Sequence, residues 1–221
     1  MGAAGALIGS LPRLSAGDGT GGTNARHPAL ESGVSDTLFT IGHSNRPLEA
    51  VVKLLKDSGV GMLVDIRRFP GSRTVPHFNR GILEARLPEA GIAYRWLEAL
   101  GGRRRTPKAS PSINTGLRNA SFRSYADYMA TPEFQEGIEE LLRIARSDPT
   151  AIMCAEAVYW RCHRRLVSDW LTAHGWQVLH IQDRGEPKAH VITPGAVLTA
   201  SGVTYPSPAD QTPLFDSINS S

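Results

Sequence analysis

Residues 151–171 read AIMCAEAVYWRCHRRLVSDWL, and this stretch decides which fold the sequence predicts. Its apolar run, which ends in Cys-Ala-Glu, predicts a buried strand, and the later Cys-His-Arg-Arg predicts the start of a helix. In an open α/β sheet, ligands bind beyond the carboxyl ends of the strands, where a helix N-terminus adds free N–H groups and partial positive charge. The residues predicted to be catalytic therefore lie here: Cys154, Glu156, Cys162 and His163.

Strand-like and helix-like segments alternate along the rest of the chain. The predicted strands are residues 37–41, 61–66, 93–97, 151–154 and 177–181, and helical patterns separate them. This alternation predicts one α/β domain, residues 37–206, with three layers: about five mainly parallel strands and helices on both faces. Residues 1–36 and 207–221 lack a periodic apolar pattern and are predicted to be disordered tails.

Polar residues follow several of the predicted strands. Because parallel strands place their carboxyl ends at one edge of a sheet, these residues are expected to gather there. The set predicted to bind a ligand or phosphate group is His43, Ser44, Asp65, Arg67, Arg68, Ser72, Tyr125 and Arg164. An alternative role for Asp65 is that of a structural carboxylate paired with arginine.

The two cysteines of the chain are Cys154 and Cys162. Cys162 is predicted to lie at a helix N-terminus beside His163 and between two arginines, surroundings that lower a thiol pKa and favour nucleophilic or redox chemistry. A strand followed by cysteine and later arginine is also found in cysteine phosphatases and sulfurtransferases. However, the intervening loop here lacks the glycines that hold an oxyanion. Cys154 can equally be a small buried hydrophobic residue at a strand end.

A zinc site built from Cys154, Cys162 and His163, with His43 approaching from the first strand, is the alternative to thiol chemistry. Seven residues separate the two cysteines, a spacing unlike the short cysteine pairs of structural zinc sites. The sequence therefore predicts no metal and no cofactor.

Basic residues are concentrated in the middle of the chain. The whole sequence has a net charge of +3, whereas residues 61–123 carry eleven arginines and one lysine against four acidic residues, a net charge of +8. Such a segment favours DNA or another phosphate-bearing ligand, although arginine-rich surfaces can also be simply solvated. No apolar run approaches the roughly 18 residues of a membrane helix, so a cytoplasmic protein without membrane contact is expected.

Two large apolar residues interrupt the polar C-terminal tail. Gln211, Leu214 and Phe215 form a Q-x-x-L-F pattern that resembles the peptides with which bacterial repair and replication proteins bind the sliding clamp. Exposed apolar residues in a flexible tail are typical of a docking peptide. The alternative is that Leu214 and Phe215 fold back onto their own domain.

Several segments together resemble the DUF488 family across about residues 38–206. They are TIGHSN (40–45), VDIRRFPGS (64–72), LGG (100–102), YADYM (125–129), CAEAVYWRCHRRLV (154–167) and VLHI (178–181). The resemblance implies an α/β domain whose motif contains two cysteines of functional interest, which here are Cys154 and Cys162. The long N-terminal extension departs from the family pattern.

These observations predict a bacterial nucleic-acid-associated protein, acting in DNA repair or processing, with a phosphate-binding cleft of cysteine, histidine and arginine. One alternative is a cysteine-dependent enzyme that acts on a small anionic metabolite. Another is a binding or redox-sensing module without enzymatic activity.

Overall fold

A computed structural model describes residues 36–104, 111–199 and 202–208 of the chain. Nearly all of the predicted N-terminal extension lies outside the described residues. So does the predicted docking peptide, with Gln211, Leu214 and Phe215.

A six-stranded sheet forms the centre of the domain. In chain order its strands are β1 (Thr37–Gly42), β2 (Met62–Asp65), β3 (Ala93–Trp96), β4 (Thr150–Cys154), β5 (Gln177–His180) and β6 (Lys188–Ala189). Their order across the sheet is β3-β2-β4-β1-β5-β6. The first five strands pair in parallel, and only the short β6 is antiparallel to its neighbour β5. The prediction of a mainly parallel sheet is thus confirmed.

Helices cover both faces of this sheet. On one face, α1 (Leu48–Asp57) and α2 (Arg80–Glu89) bury Val51, Leu55 and Leu83 in one apolar cluster. On the other face, α3 (Ala120–Met129), α4 (Pro132–Ser147) and α5 (Arg164–Ala173) contribute to a second cluster that contains Phe134 and Leu166. Strands buried on both faces read as continuous apolar runs, as in β4, where every residue is buried. The fold is therefore a three-layer α/β domain.

Turns and side-chain contacts define the ends of several elements. Helix α5 begins at Arg164, within the Cys-His-Arg-Arg segment, because residues Tyr159–Arg161 form a separate 3-10 turn. Asn79 precedes α2 without capping it, since its side chain accepts a hydrogen bond from the Ser72 N–H at 2.6 Å. The segment after β6 leads into an antiparallel pair, β7 (Val197–Thr199) and β8 (Gly202–Thr204).

The connections reverse direction between β1 and β4, which are neighbours in the sheet. After β1 the chain passes through α1 to β2 on one side. After β4 it passes through α5, on the opposite face, to β5 on the other side. Ligand sites of open α/β sheets form at such a switch point, beyond the carboxyl ends of the two strands. The ends of β1 and β4 are Gly42 and Cys154, which are paired in register.

Gly42 is required where these two strand ends meet. A Cβ at this position would lie 1.7 Å from the carbonyl oxygen of Glu156 and 2.6 Å from its carbonyl carbon. Gly42→Ala is expected to lower the free energy of unfolding by about 1–3 kcal/mol, because backbone atoms must move to relieve the overlap. Urea denaturation measures this loss. Gly61→Ala is the matched control, since a Cβ there meets nothing within 4 Å, and equal stabilities for the two variants would contradict the prediction.

None of the helices in the described ranges combines the length and the apolar composition that crossing a membrane requires.

Candidate functional site

The loops that follow β1, β2 and β4 are hydrogen-bonded to one another at the switch point. The backbone N–H groups of His43 and Ser44 donate to the carbonyls of Cys154 and Ala155, at 3.0 and 2.8 Å. His163, just before α5, donates from Nε2 to the carbonyl of Ile66 at 3.0 Å. Segments distant in sequence are therefore held at one edge of the sheet.

Cys154, Cys162 and His163 converge at this edge. Cys154 is the last residue of β4, Cys162 lies between the 3-10 turn and α5, and His163 is the N-cap residue of α5. The two sulfurs and a ring nitrogen all lie within 4.8 Å of one another. Both cysteines are reduced and buried, with 2% and 5% of their surfaces exposed.

The pKa values of the two thiols are shifted in opposite directions. Burial raises the pKa of Cys154 well above its ordinary value, and its hydrogen bond to Cys162 adds to this effect. Burial also opposes ionisation of Cys162. There, however, the hydrogen bond from Cys154, the charge of Arg164 and the Arg164 backbone N–H, 3.4 Å from Sγ, outweigh burial and lower the pKa. Cys162 therefore ionises more readily than Cys154, whose thiol donates a hydrogen bond to it.

The ring of His163 has one nitrogen available to the thiols. Its Nε2 donates to the Ile66 carbonyl, so the neutral ring presents the Nδ1 lone pair 3.4 Å from Cys162 Sγ. Burial is the largest cause of its lowered pKa, which favours the neutral ring. A Cβ on Gly102 would lie 2.8 Å from Nδ1, and the ring of Tyr125 packs edge-on at 5.0 Å. These contacts fix the ring as a proton acceptor for Cys162.

Asp65, Arg67 and His43 form a buried network beside the cysteines. Arg67 Nη2 donates to Asp65 Oδ2 at 2.5 Å and to the Phe78 carbonyl at 2.7 Å, and its Nη1 donates to His43 Nε2 at 3.2 Å. Tyr94 also donates its hydroxyl to Asp65 at 2.8 Å. The network matches the alternative of a structural, arginine-paired carboxylate at the end of β2.

Other residues of the predicted ligand set are held by local contacts. The Ser72 hydroxyl accepts the N–H groups of Thr74 and Val75, both at 3.2 Å. The Tyr125 hydroxyl is buried and donates to the Leu100 carbonyl at 2.7 Å. Arg68 donates to the Arg103 carbonyl at 2.9 Å, and the half-buried Ser44 has a left-handed backbone with a φ of 51°. Ser72 and Tyr125 thus stabilise the loops near the site.

Glu156 and Arg164 lie on the loop and helix that follow β4. The Glu156 side chain is exposed, and its backbone carbonyl accepts Arg164 Nη2 at 3.2 Å. Arg164 itself is 2% exposed. Its guanidinium therefore supports the loop from inside, while its backbone N–H contacts the Cys162 sulfur.

The cysteine and histidine cluster also has the composition of a metal site. Two sulfurs and one imidazole nitrogen are a donor set that suits zinc or copper(I). The sequence argument against zinc used the seven-residue spacing between the cysteines. That spacing is a poor guide here, because the end of β4 and the start of α5 bring the side chains together.

A known family model matches the part of the chain that contains the two cysteines. The family model described as "Domain of unknown function DUF488" matches residues 47–171, more than half of the chain. The chain belongs to the DUF488 family. The match includes Cys154, Cys162 and His163, whereas His43 and Ser44 precede it. Searches of curated proteins and of solved structures gave no match.

A second polar cluster, which the sequence analysis did not identify, lies where β1, β5 and α5 of the DUF488 domain meet. Thr40 Oγ1 lies 2.7 Å from His180 Nδ1, His180 Nε2 lies 2.9 Å from His190 Nδ1, and His190 Nε2 lies 2.8 Å from Asp169. One set of tautomers satisfies every contact, with donation running from Thr40 through both rings to Asp169. We call these four residues the Thr40–Asp169 chain.

One sequence signal could have revealed this cluster. Asp169 is the only acidic residue of α5, and it lies among apolar neighbours on a helix that packs against the sheet. A buried carboxylate needs hydrogen-bond partners. Those partners come from the segments after β6 and β8, and include the hydroxyl of Tyr205 at 2.8 Å.

We expect the free energy of unfolding of the DUF488 domain to fall in acid, because three of its buried histidines have lowered pKa values. Burial, followed by the Arg67 charge, lowers the pKa of His43 to about 4. Burial, followed by His190, lowers the pKa of His180 to about 3. The pKa of His163 is also lowered. In the unfolded chain these rings titrate near about 6.5, so unfolding takes up protons below that pH.

The stability that the three neutral histidines contribute is thus complete above about pH 6.5, and it falls as the pH drops toward their pKa values in the folded protein. The slope is up to about 1.4 kcal/mol per pH unit for each histidine. Urea denaturation between pH 7 and pH 4 measures it, and His180→Gln should give a shallower slope. A stability that stays flat over this range would contradict the prediction.

Proposed function

We propose that this DUF488 protein is a cysteine-dependent enzyme in which Cys162 attacks a small anionic substrate. The observation that carries the proposal is the asymmetric pair at the switch point: Cys162 with a lowered pKa, Cys154 as neutral donor and His163 as acceptor. A nucleophilic cysteine activated by an adjacent histidine has this arrangement.

The proposed step conserves protons and electrons. The Cys162 proton passes to His163 Nδ1, which lies 3.4 Å from the sulfur. The sulfur then forms a bond to the electrophilic atom of the substrate, and the leaving group departs with its electron pair. The imidazolium returns the proton to the leaving group, which restores the neutral ring.

The burial of both cysteines favours a small substrate. Only 5% of the Cys162 surface is exposed, so a compact group reaches the sulfur more readily than a protein or a duplex. The positive charge of Arg164 acts on the Cys162 sulfur. A negatively charged substrate is therefore favoured over a neutral one of equal size.

Labelling with iodoacetate and iodoacetamide tests the proposal, because the two reagents differ mainly in charge. In the folded protein at neutral pH, mass spectrometry should find Cys162 modified before Cys154. The ratio of the iodoacetate rate to the iodoacetamide rate should be higher for Cys162 than for free cysteine. Cys162→Ser should abolish early labelling, and Cys154→Ser, which keeps a hydrogen-bond donor, should retain it. Labelling of Cys154 at the same rate, or no labelling before unfolding, would refute the proposal.

Association with nucleic acid in DNA repair or processing is the second candidate, and an exposed aromatic residue favours it. Phe69 is 65% exposed, and the guanidinium of Arg68 lies 5.5 Å from its ring centroid. Exposed rings next to arginines are typical of surfaces on which single-stranded bases stack. Such a role fits the +8 charge of residues 61–123 and a cytoplasmic location.

Fluorescence anisotropy with single-stranded DNA tests this candidate. Phe69→Ala should weaken binding by roughly tenfold, from the loss of one stacking contact. Arg68→Gln should weaken it and reduce its dependence on salt. Arg143→Gln, on the exposed side of α4, is the charge-matched control. Equal losses in all three variants would exclude a specific surface.

We further propose that Gln211, Leu214 and Phe215 bind the sliding clamp. Replacing Leu214 and Phe215 by alanine should abolish clamp pull-down and leave the melting temperature unchanged. A melting temperature several degrees lower would instead assign the two side chains to the fold of the domain.

A further inference from the structure

A cavity of about 380 Å³ lies beyond the carboxyl ends of β1 and β5. Its walls include Thr40, Arg46, Tyr159, Arg164, His180 and Arg184. Small-molecule sites in proteins have about this volume or more, and they form at this edge of open α/β sheets.

Arg164 is the unusual residue of the cavity wall. It is 2% exposed, and its Nη2 donates to the Glu156 and Ala157 carbonyls at 3.2 and 3.3 Å. Among the described residues, its Nε and Nη1 atoms have no hydrogen-bond partner, and both are buried. A buried guanidinium with unpaired N–H groups is unfavourable unless an anion completes its contacts.

The cavity has a net positive charge. Arg46 is already paired, since its Nε lies 2.5 Å from Asp183 and its Nη1 donates to the Gly42 carbonyl. The exposed Arg184 and the buried Arg164 therefore leave a charge of about +2 facing the cavity. A doubly negative group matches this charge, and guanidinium groups bind phosphate oxygens in a fixed geometry.

The remaining wall is rigid and partly aromatic. Tyr159 stacks on His180 with ring centroids 3.5 Å apart and an interplanar angle of 10°. The Thr40–Asp169 chain holds both nitrogens of the His180 ring. At the rim, Trp160 is 49% exposed and offers a surface for a planar ring.

We propose that this cavity binds a small phosphate monoester, with Arg164 and Arg184 holding the phosphate and Trp160 contacting a planar ring. The proposal deepens and rests on the proposed function, because Arg164 also donates its backbone N–H to Cys162 and so connects the cavity to that sulfur. It names phosphorylated metabolites as the class of substrate.

Isothermal titration calorimetry with AMP and inorganic phosphate tests the proposal without requiring chemistry. Wild-type protein should bind AMP. Arg184→Gln should weaken binding by roughly ten- to hundredfold, the effect of one charged hydrogen bond. Arg164→Gln should reduce it further, while Arg143→Gln, on α4, should leave it unchanged. Because Arg184 is exposed, its replacement is not expected to prevent folding.

Two comparisons separate this proposal from the others. Cys162→Ser should still bind AMP, so a failure of thiol labelling and a failure of phosphate binding are independent results. A single-stranded oligonucleotide should not displace AMP from the wild-type protein. The proposal is overturned if neither AMP nor phosphate binds, if Arg184→Gln binds as tightly as Arg143→Gln, or if the oligonucleotide competes at the cavity.

Discussion

Replacing Asp65 by alanine is expected to lower the free energy of unfolding by about 3–5 kcal/mol, because it leaves the buried Arg67 guanidinium without its counter-charge. Asp65 is fully buried and accepts both Nε and Nη2 of Arg67, with the shortest contact at 2.5 Å. It also accepts the Tyr94 hydroxyl. A single substitution thus leaves unpaired donors on two neighbouring side chains.

A double variant tests whether this loss comes from the pair itself. Asp65→Ala with Arg67→Met removes both charges, so it should be more stable than Asp65→Ala alone. Urea denaturation of wild type, both single variants and the double variant gives the coupling free energy. A loss below about 1 kcal/mol for Asp65→Ala, the range of exposed ion pairs, would contradict the buried network.

Asp169→Ala is expected to cause the other large loss, of at least about 3 kcal/mol. The carboxylate accepts His190 Nε2 at 2.8 Å, the N–H and hydroxyl of Thr193 at 2.8 and 2.6 Å, and the Tyr205 hydroxyl at 2.8 Å. These donors join α5 to the segments after β6 and β8. For a chain of this size the loss corresponds to a fall in melting temperature of about 6–12 °C.

Asp57 supplies the matched control for Asp169. It pairs with Lys53 on the surface of α1, where an i,i+4 ion pair contributes little to stability. Asp57→Ala should therefore change the melting temperature by about a degree or less. Similar melting temperatures for Asp57→Ala and Asp169→Ala would show that the hydrogen bonds of Asp169 are not needed for the fold.

Both carboxylates hold in place the sheet edge at which the cysteines lie. Through Arg67, Asp65 connects the end of β2 to His43, which follows β1. Through His190 and His180, Asp169 connects α5 to Thr40 within β1. Neither carboxylate needs to contact a ligand for its loss to disturb the site.

The sequence was sufficient to predict the five parallel strands and the position of the cysteines beside the sheet. Residues 151–154 form an apolar run that is long enough only for a strand, and Cys162 lies two residues before the helix that begins at Arg164. These are local patterns, which depend on neighbours along the chain. The convergence of Cys154, Cys162 and His163 follows from them, because a strand end and the next helix start share one edge of the sheet.

The Thr40–Asp169 chain could not be predicted in the same way. Thr40 and His180 meet because β1 and β5 pair in parallel in the register that places Thr40 beside His180. His190 joins them through the short antiparallel β6, which carries no strong strand pattern. Such contacts depend on the register of strands far apart in sequence, which no local pattern specifies.

Some side chains chosen as ligand contacts proved to have structural partners for a related reason. A polar residue after a strand can face a ligand or satisfy a nearby backbone group, and composition does not distinguish these roles. Ser72 satisfies two N–H groups of its own turn, and the Tyr125 hydroxyl satisfies the Leu100 carbonyl. Arg164, in contrast, retains unpaired donors that only the three-dimensional structure reveals.

The rate of Cys162 alkylation as a function of pH tests the central claim most directly, because only the thiolate reacts. The account predicts a midpoint below the ordinary thiol value of about 8.5, since Cys154, Arg164 and the Arg164 N–H together stabilise the thiolate. Cys154→Ala removes one donor and should raise the midpoint, whereas Cys154→Ser should not. A wild-type midpoint at or above about 8.5 would contradict the account.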